Sequence, residues 1–247
     1  MPGSADNRRS LTVPDSKRTV EPVAQVPSHQ VRAVYNDRTI RVYQAYSDQI
    51  ADSALRSGTF LSPPFNAQRM TWIKPSFLWM ACRAGWGEKE EKQKRILAID
   101  ITREGFEWAL GRSRLTHDAL GPHMCRGEKL ESMRASYVLV QWDPERDLFC
   151  SPQPWRTIQV GIRDEAVRRY VHDWIVKISD VTALAGRIHD CVAQGHMSPV
   201  VHLLPKEREY PLGPELQERL GIVASGGYGN TRVRSRIEAG LRRSSGT

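Results

Sequence analysis

The segment RMTWIKPSFLWMACRAGW, residues 69–86, constrains the fold most, because the helix that it predicts is apolar on nearly every side. Such a helix has to be buried, so other elements must pack around it. Pro75 fits the first position of this helix, where its missing N–H costs nothing, and it favours an extended conformation for the residue before it. Lys74 and Ser76 therefore flank the predicted start of a buried helix.

A lysine and a serine at this place have two interpretations. Free backbone N–H groups, the helix dipole and one ammonium together attract a phosphate or a carboxylate. Alternatively, Lys74 extends its ammonium to water while Trp72, Trp79 and Trp86 fill the core. The residue types alone leave both interpretations open.

Strand and helix patterns alternate through the rest of the chain. The strand patterns are TIRVYQAY (39–46), RILAIDI (95–101), SYVLVQWD (136–143) and RTIQVGI (156–162). The helix patterns are SDQIADSALRSG (47–58), REGFEWALG (103–111), RDEAVRRYVHDWI (163–175) and DVTALAGRIHDCVAQG (180–195). Short connections between them predict a single α+β (mixed α/β) domain over residues 31–221, with a central mixed sheet flanked by helices. Residues 1–30 and 222–247 are expected to be disordered extensions.

The positive charge is concentrated at one end of the chain. The net charge is +8, and residues 223–247 hold five arginines against one glutamate. This basic segment is either a solvated tail or an arm that attracts RNA.

Several classes of protein lack support in the sequence. No apolar run reaches the roughly 18 residues of a membrane span, and the N-terminus has no apolar signal segment, so a cytoplasmic protein is expected. The four cysteines, at 82, 125, 150 and 191, are far apart in sequence and are expected to be reduced thiols. Signatures of nucleotide-binding loops and metalloproteases are absent, so neither a cofactor nor a metal is expected.

Two groups of carboxylates stand out as partners for a cationic ligand. Asp143 and Glu145 follow a predicted strand, where side chains that face a ligand often project. Glu104 and Glu107 lie one turn apart at a predicted helix start. A charged turn and a favourable dipole explain the two groups equally well, but carboxylates near a pocket are also the natural partners of a guanidinium.

Long segments of the chain resemble a known family. The segments include RAVYNDRTIRVYQAYSDQIADSALRSGTF, RMTWIKPSFLWMACRAGW, RILAIDITREGFEWAL, VQWDPERDL and LLPKEREYPL. They resemble a widespread bacterial and fungal family of domains of unknown function, over roughly residues 31–221. This family resemblance extends to the fungal arginine-containing cyclodipeptide synthases, which take arginyl-tRNA and a second aminoacyl-tRNA and close a diketopiperazine.

The resemblance implies a tRNA-dependent aminoacyltransferase, and since both amino acids arrive as esters, no ATP is needed. Ser76 is the expected acyl-accepting nucleophile with Lys74 as its activator or electrostatic support, although direct transfer is also possible. Tyr43 and Tyr46, on either side of Gln44, could donate hydrogen bonds to an ester oxygen. Expected substrate-binding residues are Arg69, Thr71, Trp72, Trp79, Glu104, Glu107, Trp142, Asp143 and Glu145. Expected tRNA-binding residues are Arg41, Arg83, Arg146, Arg168 and Arg169.

Two other functions compete with this one. IRVYQAYSDQIADSALRSGTF is similar to the first strand and helix of ADP-ribosyltransferases, but Gln44 replaces a histidine, Ala45 replaces a glycine, and Gln159 stands where a catalytic glutamate is expected. The third hypothesis is a non-catalytic RNA-binding module in which Trp72 and Trp79 stack on bases.

Overall fold

The strands of the chain pair into three sheets in a computed structural model that describes residues 28–88, 90–116 and 136–222. The strands in this part of the chain are β1 (Arg32–Ala33), β2 (Thr39–Tyr46), β3 (Thr71–Ile73), β4 (Arg95–Thr102), β5 (Ser113–Leu115), β6 (Val138–Arg146), β7 (Pro152–Ile162), β8 (Ile175–Asp180) and β9 (Arg208–Glu209). The helices are α1 (Asp48–Ser57), α2 (Phe77–Arg83), α3 (Arg103–Gly111), α4 (Glu165–Arg169), α5 (Thr182–Ala193), α6 (Met197–Leu203) and α7 (Pro214–Arg219). The described residues form one mixed α/β domain.

The four-stranded sheet has the order β3-β7-β6-β5, and β5 is parallel to β6 while the other pairs are antiparallel. Side chains alternate between its two faces. One face is apolar and buried, and its residues include Val138, Val140, Trp142, Ile158, Val160 and Ile162. The opposite face carries polar residues, among them Gln141, Asp143 and Gln159. This polar face is covered by α2, which packs against β6.

The three-stranded sheet has the order β2-β4-β8, all antiparallel. Its central strand, β4, is buried on both faces, as its continuous apolar run predicts. The two larger sheets meet where Tyr43 N–H donates to the Lys74 carbonyl at 2.8 Å and Lys74 N–H donates to the Tyr43 carbonyl at 3.3 Å. The residue after β3 is thereby fixed against the middle of β2.

The buried helix begins later than the sequence predicts. Pro75 precedes the cap instead of occupying the first helical position, because Ser76 keeps an extended backbone and its Oγ accepts a hydrogen bond from Trp79 N–H at 3.1 Å. The predicted apolar stripe of α2 is buried, and Phe77 packs edge-on against Tyr43 with ring centroids 5.5 Å apart. Ser76 is therefore the N-cap of a helix that closes over the polar face of the sheet.

Other expectations differ from the structure in detail. The strands form separate sheets instead of one central sheet, since β2, β4 and β8 pair only with one another as named strands. The predicted helix 163–175 becomes α4 followed by a π-helical turn, Tyr170–Trp174, and β8 then begins at Ile175. The expected disordered extensions lie outside the described residues, except for 28–30 and 222.

The expectation of reduced cysteines is wrong for two of them. Cys82, on α2, and Cys150, in the β6–β7 turn, form a disulfide. They are 68 residues apart in sequence, so spacing could not reveal a contact that exists because α2 packs beside this turn. Cys191 is a free cysteine. Among the described helices, none has both the length and the apolar character that crossing a bilayer requires.

Candidate active site

A buried ion pair lies on the polar face of the four-stranded sheet. Lys74 follows β3 and shares the face of Trp72, because Ile73 between them points into the core. Its ammonium is fully buried, 2.9 Å from Asp143 Oδ2 and 3.8 Å from the centre of a Trp79 ring. Burial lowers the pKa of Lys74 to about 8, although the charge and hydrogen bond of Asp143 oppose this shift.

Asp143 is held on both oxygens. Its Oδ1 accepts a hydrogen bond from Gln141 Nε2 at 2.7 Å, and Gln141 lies two residues earlier on the same strand and face. With Lys74 on Oδ2 and Gln141 on Oδ1, the carboxylate is fixed in one orientation. The pair is therefore a rigid element beside the start of α2.

Ser76 contacts a carboxylate, not the lysine. Its Oγ donates to Glu145 Oε1 at 2.8 Å. The pairing of β6 with β7 shifts register between Pro144 and Arg146, at Glu145, and such bulges redirect a side chain. A hydroxyl within hydrogen-bond distance of a carboxylate has the arrangement of a nucleophile with an adjacent base.

Ser76 and Glu145 line a cavity of about 360 Å³, which we call the acidic cavity. Its carboxylates are those of Glu145, Asp147 and Glu207. Its remaining lining residues are Arg32, Leu78, Arg146, Leu148, Phe149, Gln153 and Trp155. Glu207 Oε1 accepts from Phe77 N–H at 2.7 Å, at the start of α2, and burial raises the pKa of Glu207 to about 8. Three acidic side chains and two arginines thus line the cavity to which the Ser76 hydroxyl belongs.

A second cavity of about 410 Å³, which we call the amide cavity, opens beside the other side of the same helix start. It is lined by Gln44, Ala45, Tyr46, Met70, Thr71, Trp72, Trp79, Met80, Arg83, Gln93 and Gln159. No carboxylate is among these described lining residues. The backbone N–H of Trp79 donates to the N-cap Ser76, and its indole covers the Lys74 ammonium. Trp79 therefore lies between this cavity and the buried pair.

Gln44 belongs to a closed polar network in the wall of the amide cavity. Its Nε2 donates to Thr71 Oγ1 at 2.8 Å and to the Trp72 carbonyl at 3.0 Å, and its Oε1 accepts from Tyr170 OH at 2.8 Å. The Tyr46 hydroxyl lies 3.0 Å from Thr71 Oγ1. Gln44 therefore holds Thr71, the Trp72 backbone and Tyr170 in place, and most of its own donors and acceptors are already engaged.

The flat placement of Trp72 depends on a glycine of β7. A Cβ at Gly161 would lie 2.8 Å from Trp72 Cζ3 and 2.9 Å from Met70 Sδ, too close for either to stay in place. The missing side chain lets the indole lie directly on the strand.

The structure brings together five predicted residues at the centre: Lys74, Ser76, Trp79, Asp143 and Glu145. Four others line the amide cavity with Gln44: Tyr46, Thr71, Trp72 and Arg83.

Other predicted site residues lie elsewhere. Tyr43 is buried against Phe77, and its hydroxyl has no hydrogen-bond partner within the described residues. Trp142 is on the apolar face of the sheet and donates to the Leu220 carbonyl at 3.0 Å. Arg69 is exposed and lines neither cavity.

The carboxylates of α3 also lie away from both cavities. Glu104 is exposed, and Glu107 accepts from Tyr210 OH at 2.5 Å with Arg103 at 3.7 Å. These partners occupy Glu107, so the structure does not favour α3 as a site for a guanidinium.

The predicted tRNA-binding arginines are dispersed over several elements. Arg41 pairs with both oxygens of Asp100, and Arg169 pairs with Glu165. Arg168 is exposed. Arg83 lines the amide cavity and Arg146 the acidic cavity, so these two are the arginines of the group that lie at the site.

Three residues at the site, Gln141, Asp147 and Glu207, are not among those predicted from the sequence. Gln141 and Asp147 had a signal, since they flank Asp143 and Glu145 at strand spacing in one short segment. The local sequence pattern around Glu207 gave no signal for the site, because its contact with Phe77 spans 130 residues of sequence.

The family comparison agrees with the resemblance at a coarse level. A family model described as Domain of unknown function (DUF4291) matches residues 30–210. The chain belongs to the DUF4291 family. The match runs from just before β1 to just after β9, so the DUF4291 domain includes both cavities and the buried pair. No curated protein matches the chain.

Proposed function

We propose that this DUF4291 protein is an aminoacyl-tRNA-dependent cyclodipeptide synthase that forms an arginine-containing diketopiperazine, cyclo-Arg-Xaa. The observation that carries the proposal is the Ser76–Glu145 hydrogen bond on the wall of the acidic cavity. It supplies a hydroxyl and a base for aminoacyl transfer, next to carboxylates that suit an arginine side chain.

Glu145 is the carboxylate of the acidic cavity that best suits a guanidinium. Its Oε2 accepts no hydrogen bond from a described residue, whereas both oxygens of Asp147 are engaged within the β6–β7 turn. Carboxylates accept paired N–H bonds from a planar guanidinium, and Phe149 and Trp155 offer aromatic faces to the same group. The cavity volume of about 360 Å³ is sufficient for a single amino-acid side chain. An arginyl ester bound with its side chain here would place its carbonyl near Ser76.

The reaction then needs only the hydroxyl and the base. Ser76 Oγ attacks the ester carbonyl, its proton passes to Glu145, and the tRNA ribose hydroxyl leaves with that proton. The amine of the second aminoacyl-tRNA attacks the seryl ester, forms the first amide and releases Ser76. The arginyl amine then attacks the second ester, and the second tRNA leaves as the ring closes.

Lys74 supports this centre without contacting a substrate. Its ammonium is fully buried, so it acts as a positioning residue that balances the charges of Asp143 and Glu145. Asp143 in turn holds the ammonium under Trp79, on the first turn of the helix that Ser76 caps.

ADP-ribosyl transfer is a second candidate, favoured by one observation. Gln44 and Gln159, which stand where ADP-ribosyltransferases carry a histidine and a glutamate, line the same cavity. However, the Gln44 amide is already engaged, and neither amide can take a proton as a carboxylate does.

The test is incubation of the purified chain with arginyl-tRNA and a mixture of aminoacyl-tRNAs, followed by mass spectrometry for cyclo-Arg-Xaa. We expect product that disappears after RNase treatment. We expect Ser76→Ala to lose about 100-fold or more of the rate. Ser179→Ala, on β8, is the matched control and should keep the rate.

If the chain transfers label from NAD to nucleic acid or protein and forms no cyclodipeptide, ADP-ribosyl transfer would replace this proposal. RNA binding without any turnover would replace it with a binding module.

A further inference from the structure

The amide cavity differs from the acidic cavity in a way that indicates its ligand. Its walls combine the indoles of Trp72 and Trp79 with two thioethers and three side-chain amides, and no carboxylate is among the described residues that line it. Indole faces stack on planar rings, and amides pair with neutral donors and acceptors. The walls therefore suit a flat, uncharged heterocycle.

Gln159 is the amide that is available to such a ring. It lies on β7 on the face of Gly161, two residues from it, and is partly exposed. Its side chain makes no hydrogen bond with another described residue, whereas the Gln44 amide is engaged on both ends. A glutamine amide offers one donor and one acceptor side by side, which match the N6 and N7 edge of adenine.

Arg83 adds a positive charge at the same cavity. It is exposed, and its hydrogen bond within the described residues is a 3.4 Å contact with Gln93. A guanidinium with weakly engaged donors at the rim of an aromatic cavity is suited to a phosphate. The base-binding walls and this cation together match a nucleotide better than a free base.

The two cavities lie on either side of the first turn of α2. Ser76 lines the acidic cavity and Trp79 lines the amide cavity, and the two residues are joined by the 3.1 Å cap hydrogen bond. An aminoacyl-tRNA ends in a nucleotide whose ribose carries the amino acid as an ester. To bind the 3′ end of an aminoacyl-tRNA, a protein needs one cavity for the terminal nucleotide and a neighbouring cavity for the amino-acid side chain.

We propose that the amide cavity binds a purine nucleotide, the 3′-terminal adenosine of aminoacyl-tRNA, with its base against Trp72 and Gln159 and its phosphate at Arg83. This inference rests on the proposed function for the source of the nucleotide. The shared chemistry is that of adenosine 5′-phosphate, whether free or at the end of an RNA.

The first experiment is calorimetric titration of the full chain with AMP, adenosine and CMP. We expect AMP to bind at least tenfold more tightly than CMP, and Gln159→Leu to weaken AMP binding about tenfold while Gln194→Leu, an exposed glutamine after α5, leaves it unchanged. Arg83→Ala should abolish the advantage of AMP over adenosine. Equal binding of AMP and CMP, or AMP binding unaffected by Gln159→Leu, would overturn the inference.

The second experiment identifies the source, using arginyl-tRNA whose last nucleotide is A or C in the synthesis assay. The inference expects a tenfold or larger loss of kcat/KM with the C terminus, and expects Gln159→Leu to remove this discrimination. Product formed equally from both tRNAs overturns the inference and leaves the proposed function standing. Selective AMP binding without any cyclodipeptide overturns the proposed function and assigns the cavity to a free nucleotide.

Discussion

The acidic cavity and the amide cavity have similar volumes, about 360 and 410 Å³, and both open beside the first turn of α2, yet their linings differ in chemistry. One presents three acidic side chains together with Arg32 and Arg146, and the other presents amides and indoles with Arg83 and no acidic side chain among its described lining residues. Under the proposed function, one buried helix start divides the substrate between a site for its cation and a site for its neutral ring.

The difference arises from where each strand ends on the polar face of the sheet. β6 carries Asp143 and Glu145 toward the β6–β7 turn, and Asp147 follows, so carboxylates collect at that end. β3 and the far end of β7 bring Trp72 and Gln159 to the other cavity, and Gly161 lies against the Trp72 indole. The Lys74–Asp143 pair lies between the two sets, because Asp143 is on β6 and the Lys74 ammonium lies against the Trp79 ring.

The largest expected effect comes from breaking that pair. Lys74→Met leaves Asp143 buried without its cation, which should cost about 3–5 kcal/mol of the free energy of unfolding in urea titration. Lys74→Met combined with Asp143→Leu should recover much of this loss, because no charge is then left unpaired. If Lys74→Met lowers the free energy of unfolding by less than about 1 kcal/mol, the pair contributes no more than a surface ion pair and does not stabilise the region between the cavities.

Removing the proposed base should affect the acidic cavity alone. Glu145→Gln keeps an acceptor for the Ser76 hydroxyl but cannot take its proton, so we expect product formation to fall about 100-fold. Nucleotide binding in the amide cavity should stay unchanged, as measured by AMP titration. Glu218→Gln, an exposed glutamate of α7, serves as the control. Equal rates for the two variants would remove Glu145 from the reaction.

Displacing Trp72 should affect the amide cavity alone. Gly161→Ala puts a Cβ within 2.8 Å of the indole, and overpacking of this kind costs about 1–3 kcal/mol. We expect AMP binding to weaken severalfold. Gly186→Ala, inside α5 where an added Cβ meets nothing within 4 Å, should keep AMP binding and lose no stability, as checked by the same titrations. Unchanged AMP binding in Gly161→Ala would separate Trp72 from the ligand.

The last prediction concerns the proton on Glu207, in the lining of the acidic cavity. Burial raises its pKa from 4.5 to about 8, so the folded state binds a proton that the unfolded state has lost between these pH values. The stability that this proton contributes is fully present below pH 4.5 and is lost as the pH rises through 8. Urea titrations of the native chain and of Glu207→Gln should therefore diverge with pH across this window. A constant difference between the two would contradict the buried, protonated Glu207.

Some of this arrangement could be predicted from the sequence. The apolar runs of β4 and β6 and the stripe of α2 mark the elements, and Lys74, Ser76 and Asp143 stand out as polar residues within or beside them. The pairing of Ser76 with Glu145 could not be predicted, because it depends on a register shift in β6. Likewise, the Cys82–Cys150 disulfide and the Glu207 contact join segments far apart in sequence, for which local patterns carry no signal.

The most direct test of the central claim is a single-turnover reaction with labelled arginyl-tRNA, quenched and digested for peptide mass spectrometry. We expect an arginyl ester on the peptide that contains Ser76 in the native chain, and neither ester nor product in Ser76→Ala. Cyclo-Arg-Xaa formed by Ser76→Ala at the native rate, with no labelled peptide from either protein, would contradict it.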